Sequence, residues 1–243
     1  MKNRFTIFVL FISLFCLYGR AFAQSAGINF MMGFPQADFQ KSINRTGFGI
    51  GGEVNFWSVS PSMPFTLGLD ASYLNYGSED RNEPFSYEVP DVTVNVNRTN
   101  NIVNFHLLFK IMPPEGNLRP YIEGLLGGSY LYTETKVGNT GNYDEEVAST
   151  TNFDDWAWSY GGGGGLMFKV FDFNSSEAED ENFLSRWKNF SLWIDLKARY
   201  MLGSQAEYLK EGSMRIDRGR VYITPSKSDT DLITAHFGVI VQF

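Results

Sequence analysis

The chain has 243 residues, a formal charge of −7 and one cysteine, Cys16. An acid-rich balance argues against a nucleic-acid partner, and a lone cysteine excludes a disulfide scaffold and a cysteine-built metal cluster or nucleophile in the exported chain. Past the N-terminal region no stretch is long and apolar enough to cross a bilayer as a helix, so any membrane embedding has to come from strands.

Residues 1–23 have a basic start, an apolar run from Phe5 to Leu17 and the small-residue pattern Ala21-Phe22-Ala23. This is the layout of a secretory signal peptide cleaved after Ala23. The run is too short for a membrane helix, and Phe15 before Cys16 does not suit a lipoprotein site. Cleavage removes Lys2, Arg4 and Arg20 but no acid, so the exported domain, residues 24–243, is more acidic than the whole and has no thiol.

From Ala26 onward the chain alternates with a period of two, the signature of strands with one apolar face. In AGINFMMGF, Ile28, Phe30, Met32 and Phe34 stand against Gly27, Asn29, Met31 and Gly33. TGFGIGGEVNFW sets Phe48, Ile50, Val54 and Phe56 against three glycines, Glu53 and Asn55, and FTLGLDASYLNY sets Phe65, Leu67, Leu69, Ala71 and Tyr73 against Thr66, Gly68, Asp70 and Ser72. NIVNFHLLFKI opposes Val103, Phe105, Leu107 and Phe109 to Asn104, His106, Leu108 and Lys110; RPYIEGLLGGSYLYT opposes Ile122, Leu126, Tyr130 and Tyr132 to Glu123, Gly127 and Ser129. In WSYGGGGGLMFKV the second face carries Ser159, Gly161, Gly163, Gly165 and Lys169, and in NFSLWIDLKARYML it carries Trp193, Asp195, Lys197 and Arg199. LITAHFGVIVQF, which ends on Phe243, makes the eighth segment, with His236 on its non-apolar face.

A soluble barrel places its apolar face inside and coats the outside with charge. Here the second face is mostly glycine, serine and asparagine, which suits a crowded interior, while the broad aliphatic and aromatic face suits lipid. Phe34, Tyr73, Tyr130, Tyr132, Trp158, Tyr200 and Phe243 fall near strand ends, where membrane barrels carry aromatic girdles. Connections at 58–64 and 113–118 are short, and those at 35–45, 77–101, 134–155 and 203–231 longer, the asymmetry of a membrane barrel with its short turns in the periplasm. The exception is the acidic lower segment 172–188, read as a solvated loop ahead of a docking site for a periplasmic protein. The predicted fold is therefore all-β: an eight-stranded antiparallel up-and-down transmembrane barrel in the bacterial outer membrane.

A closed barrel must pair its last strand with its first, which explains an apolar face running to the final residue. With FGVIVQF at the end, RPYIEGLLGGSYLY in the middle and alternation throughout, the chain resembles the eight-stranded outer-membrane barrels of the OmpA transmembrane-domain and OmpX type, and especially the bacteroidete outer membrane protein beta-barrel family. The resemblance implies that the outer-membrane barrel assembly machinery reads Phe243 as its signal. No peptidoglycan-binding domain follows, so no cell-wall tether is implied.

The residues pointing inward by parity are Glu53, Asp70, Glu123 and Asp195 against Lys110, Lys169, Lys197 and Arg199, with His106 and His236 as further cations. Buried charges need opposite partners, so the first reading of the lumen is a charge-paired plug, ahead of a narrow selective pore and of a proton-coupled site. No serine–histidine constellation is recognisable, so catalysis, including lipid modification, ranks last, and no cofactor or metal is expected. The run Gly161 to Gly165 lacks the lysine and hydroxyl of a phosphate loop and reads as backbone room in the wall.

Val92, Val94 and Val96 take the opposite parity from Val103, which predicts a bulge or turn before the membrane span, and RVYIT, Arg220 to Thr224, suggests that the last strand begins above the bilayer. OmpX-like proteins project such strands as a sheet whose edge can pair with a partner. The expected partners are outer-membrane lipid, the assembly machinery and an extracellular or periplasmic protein, with the barrel a monomer. A role as accessory barrel of a secretion or gliding apparatus is implied by resemblance alone.

Overall fold

A computed structural model describes residues 24–84, 93–139, 142–174, 189–210, 212–217 and 220–243. The predicted signal peptide and most of the acidic segment, 175–188, lie outside the described residues. Eight strands, β1 (Ser25–Pro35), β2 (Gly47–Asn55), β3 (Phe65–Pro84), β4 (Thr93–Ile111), β5 (Leu118–Asn139), β6 (Asn142–Asn174), β7 (Asn189–Gly203) and β12 (Leu232–Gln242), form one closed antiparallel barrel. Each pairs with its neighbours in sequence, and β12 returns to β1 from Ser25↔Gln242 to Pro35↔Leu232. The Phe243 N–H donates to Gln24 O at 2.9 Å, so pairing reaches the terminal residue.

One helical turn, α1 (Ala37–Ser42), joins β1 to β2. Between β7 and β12 lie two small hairpins, β8 (Gln205–Tyr208) with β11 (Ser226–Asp229) and β9 (Met214–Asp217) with β10 (Arg220–Ile223). The segment predicted to begin the last strand, RVYIT, therefore belongs to a separate ribbon, and β12 starts at Leu232. The chain turns back on itself here because β9 supplies the pairing that the barrel wall does not.

The wall is apolar outside and polar inside. Ile28, Ile50, Ile122, Leu126 and Phe237 are each more than half exposed, whereas Thr234, His236 and Ile240 on β12 point inward and are buried. Outward apolar positions on β3 run from Phe65 to Tyr73, eight steps or roughly 26 Å along the strand.

Beyond the barrel rim, β3 to β6 continue as a four-stranded projecting sheet, with register from Gly77↔Asn100 to Pro84↔Thr93 and from Val94↔Asn139 through the upper half of β5. Much of the predicted long connections 77–101 and 134–155 is thus strand. The predicted irregularity near Val92 to Val96 is not in β4, whose described part pairs with β5 without a break. The bulge lies across the ladder in β3, between Asn75 and Gly77, and Val94 and Val96 keep the parity of Ile102 and His106. An extra residue on one strand shifts parity for that strand alone.

Apolar clusters close both mouths. At the hairpin end Phe39 of α1 is fully buried, 5.1 Å from the Tyr208 ring at 86° and 5.8 Å from Tyr76 at 61°, above Met31, Leu74 and Leu131. Ala37 takes a positive φ of 49°, uncommon for a residue with a Cβ, in the turn that carries Phe39 from the wall into the mouth. At the end holding the termini, Trp193, Tyr121, Met167, Met112 and Ile240 fill the lumen. Truncating Phe39 to alanine is expected to cost about 3–5 kcal/mol of unfolding free energy. Urea titration of the refolded barrel in micelles measures it, and an unchanged midpoint would show that α1 does not pack into the mouth.

Candidate functional site: the barrel lumen

Between the two apolar layers lies a buried ionic network. Glu53 on β2 is its centre: Lys110 Nζ donates to Oε1 at 2.6 Å and Lys197 Nζ to Oε2 at 2.5 Å, with Arg199 Nη2 3.8 Å away. Arg199 on β7 bridges two further strands, donating through Nε to Glu123 at 2.6 Å and through Nη1 to Asp70 at 2.9 Å. Lys197 lies 3.3 Å from Asp195, which also accepts the Tyr121 hydroxyl at 2.6 Å, and Lys110 stands 4.5 Å over the Tyr121 ring. The network thus ties together β2, β3, β4, β5 and β7.

The glycine run of β6 is what admits these side chains. A Cβ on Gly163 would lie 2.3 Å from Ala198 O and 2.9 Å from Arg199 Cγ; one on Gly165 would lie 2.6 Å from the Tyr121 ring. Any larger residue would displace Arg199 or Tyr121 from the lumen, so backbone room on β6 sets the reach of β5 and β7.

Lys169 does not join the network. Its parity is inward, but it sits at the rim, 3.0 Å from Asp172 and 5.2 Å over the Trp193 ring. Within the network four acids therefore meet three bases, rather than the four and four counted along the sequence. The reason is height: alternation reports which face a residue takes, not its level along the barrel axis. His106 lies beside Asp70 in the β3–β4 register. His236 is engaged at both ring nitrogens, with Asn29 Oδ1 and Thr234 Oγ1, each at 2.8 Å. Both histidines line a central cavity of about 20 Å³, room for a water molecule.

Sequence reading placed Asn29 and Asn55 on the inward face but passed over Tyr121 as a lumen group. Tyr121 shares the parity of Glu123, a signal sufficient to place it inside; Asn55 Nδ2 donates to Glu53 Oε1 at 3.2 Å. A ladder of neutral groups continues toward the hairpin end, where Ser129 donates to Asn104 at 2.6 Å and Asn104 to Ser72 at 3.1 Å.

Removing one partner from a buried ion pair leaves an uncompensated charge. Glu53→Gln is expected to destabilise the folded barrel by about 3–5 kcal/mol, measured as a lowered urea midpoint. Lys169→Gln, at the rim, should change it by less than about 1 kcal/mol. Equal losses would show that the rim residue shares the network.

No family model and no curated protein matches the chain. Among solved structures it is similar to Neisserial surface protein A, at 10% identity over 90% of this chain and 96% of that one, with a TM-score of 0.40. It is also similar to Ail, the attachment invasion locus protein of Yersinia pestis, solved with the heparin analogue sucrose octasulfate, at 15% identity over 90% and 97% of the two chains and a TM-score of 0.33. Likeness at this level carries no argument about function, and the eight-stranded closure rests on this chain's own register.

Proposed function

We propose that this protein is a small outer-membrane barrel with a sealed lumen, and that it acts by binding through the sheet projecting from its hairpin end. The observation that carries the reading is the filling of the lumen: a charge network held between two apolar layers leaves a central cavity of only about 20 Å³. An interior packed in this way supports a scaffold over a conducting pore. The apolar outer wall supports membrane residence, since an exposed surface this hydrophobic needs an apolar surrounding, and its extent along β3 is of the order of the apolar band of membrane barrels. The signal-peptide pattern and the paired C-terminal strand support export to the outer membrane, with Phe243 as the residue the assembly machinery reads.

Binding is assigned to the projecting sheet because its β3 flank is open among the described residues. Beyond Asn75, β3 pairs with β4 and has no strand on its other side among the described residues. The far flank, β6, is covered in part, where Asp155 accepts the Glu207 N–H of β8 at 2.8 Å. An exposed edge offers unpaired backbone groups to an added strand. An extracellular protein segment is the partner this chemistry suits.

In a planar bilayer the purified barrel should show no steady conductance; stable, ion-selective openings would overturn the sealed-lumen reading in favour of a narrow channel. Photocrosslinkers at Ser78 and Asp80 on β3 should capture partner protein from the cell exterior. Capture only from within 172–188 would instead favour an accessory barrel with a periplasmic contact.

A further inference from the structure

The open edge of β3 has a recess at its foot. The β2–β3 ladder ends at Phe48↔Asn75; β3 then bulges through Tyr76 and resumes at Gly77↔Asn100, paired with β4 and with no strand on its other side among the described residues. A cavity of about 190 Å³ opens at this step, between residues 42–45, which lead into β2, and residues 76–79 of β3. Pockets for small molecules begin at roughly 300 Å³, so the recess is on the scale of one large side chain. Its apolar part is formed by Ile43 and Tyr76, 6% and 3% exposed, which both belong to the cluster that seals the mouth. The carboxylate of Glu79 already accepts from Arg98 Nη1 at 3.2 Å and from the Gly212 N–H at 3.0 Å, so its charge is met within the chain.

Gly77 decides what the recess can receive. Its ladder partner Asn100 keeps the inward parity of Ile102 and His106, so Gly77 stands on the inward face, and the three atoms nearest to a Cβ built on it all belong to Asn100, at 3.1 to 3.9 Å. The glycine is therefore covered from the β4 side, while the open side is bare. Twice elsewhere in the wall a glycine is roofed by an aromatic ring from the adjoining strand: a Cβ on Gly128 would lie 2.1 Å from the Trp156 ring, and one on Gly165 2.6 Å from the Tyr121 ring. A strand laid along β3 would continue the line of β2 upward, and its residue opposite Gly77 would face inward over the recess, since directly opposed residues share a face of the sheet.

We infer that the extracellular segment received by β3 carries an aromatic residue opposite Gly77, with its ring seated in this recess against Ile43 and Tyr76. The inference rests on the edge-binding reading above and adds the feature that selects the partner. Main-chain bonds along an edge accept any extended segment, whereas a pocket for one side chain discriminates among them.

The probe is a displayed library of random heptapeptides, selected on the micelle-refolded barrel. Enriched peptides should share an aromatic at one fixed position, and their titration should protect alternate β3 amides above Gly77 from hydrogen exchange. Replacing that aromatic by alanine should weaken binding about thirtyfold, the loss typical of a buried anchor. Gly77→Val and Ser42→Phe fill the recess from opposite sides, and each should weaken the same peptides by about tenfold or more. Protection of β3 amides without an aromatic preference, or with full affinity in both variants, would overturn the anchor and leave the edge reading standing. Peptides that bind without protecting any β3 amide, or a library that yields no binder, would overturn the edge reading and the anchor with it.

Discussion

The pairing of β12 with β1 is the constraint on which the rest of the molecule depends. Eleven residues of each strand are matched, and the terminal amide of Phe243 is bonded as well. Closure removes both sheet edges, so every strand of the barrel finds backbone partners on two sides. It also creates an inside. Once the wall is closed, each inward side chain has to be satisfied by another inward side chain, because neither bulk water nor the outer surface is within reach.

The lumen meets that demand in layers. Apolar groups sit at the two mouths, where packing excludes water, and ions sit between them, where low polarity strengthens attraction between opposite charges but penalises any charge left alone. Glu53 faces Lys110, Lys197 and Arg199 and therefore holds strands together across the barrel, beyond what the backbone ladder does between neighbours. Such a network is a poor source of net stability compared with a well-packed apolar core, but it punishes misregister heavily, since slipping one strand by one residue sends its charge into the outer face. The glycines of β6 belong to this arrangement. They contribute no contacts of their own, and their lack of a Cβ is what lets Arg199 and Tyr121 reach their partners.

A filled interior moves the chemistry available to ligands outward. The bulge at Tyr76 lies at the boundary between the closed barrel and the open sheet, where the free edge of β3 begins. The Tyr76 ring meets Phe39 edge-on, so the apolar layer that seals the mouth also braces the base of the projecting sheet.

Alternation along the sequence determined the number of barrel strands, the face each residue takes and the reason for an apolar terminal strand, because period two is a local property of an extended backbone. The inward parity of Glu53, Asp70 and Arg199 is visible in that way, and so is the room left by Gly161 to Gly165. Tertiary structure alone decided the rest. Height along the axis put Lys169 at the rim beside Asp172, away from its parity mates. Pairing choice gave Arg220 to Ile223 to a separate ribbon and placed the bulge in β3 instead of β4. Phe39, one aromatic in a polar connection, became the seal of a mouth only because α1 folds over it. Direction relative to a sheet is encoded residue by residue; distance across a barrel depends on register, stagger and curvature, which belong to all eight strands together.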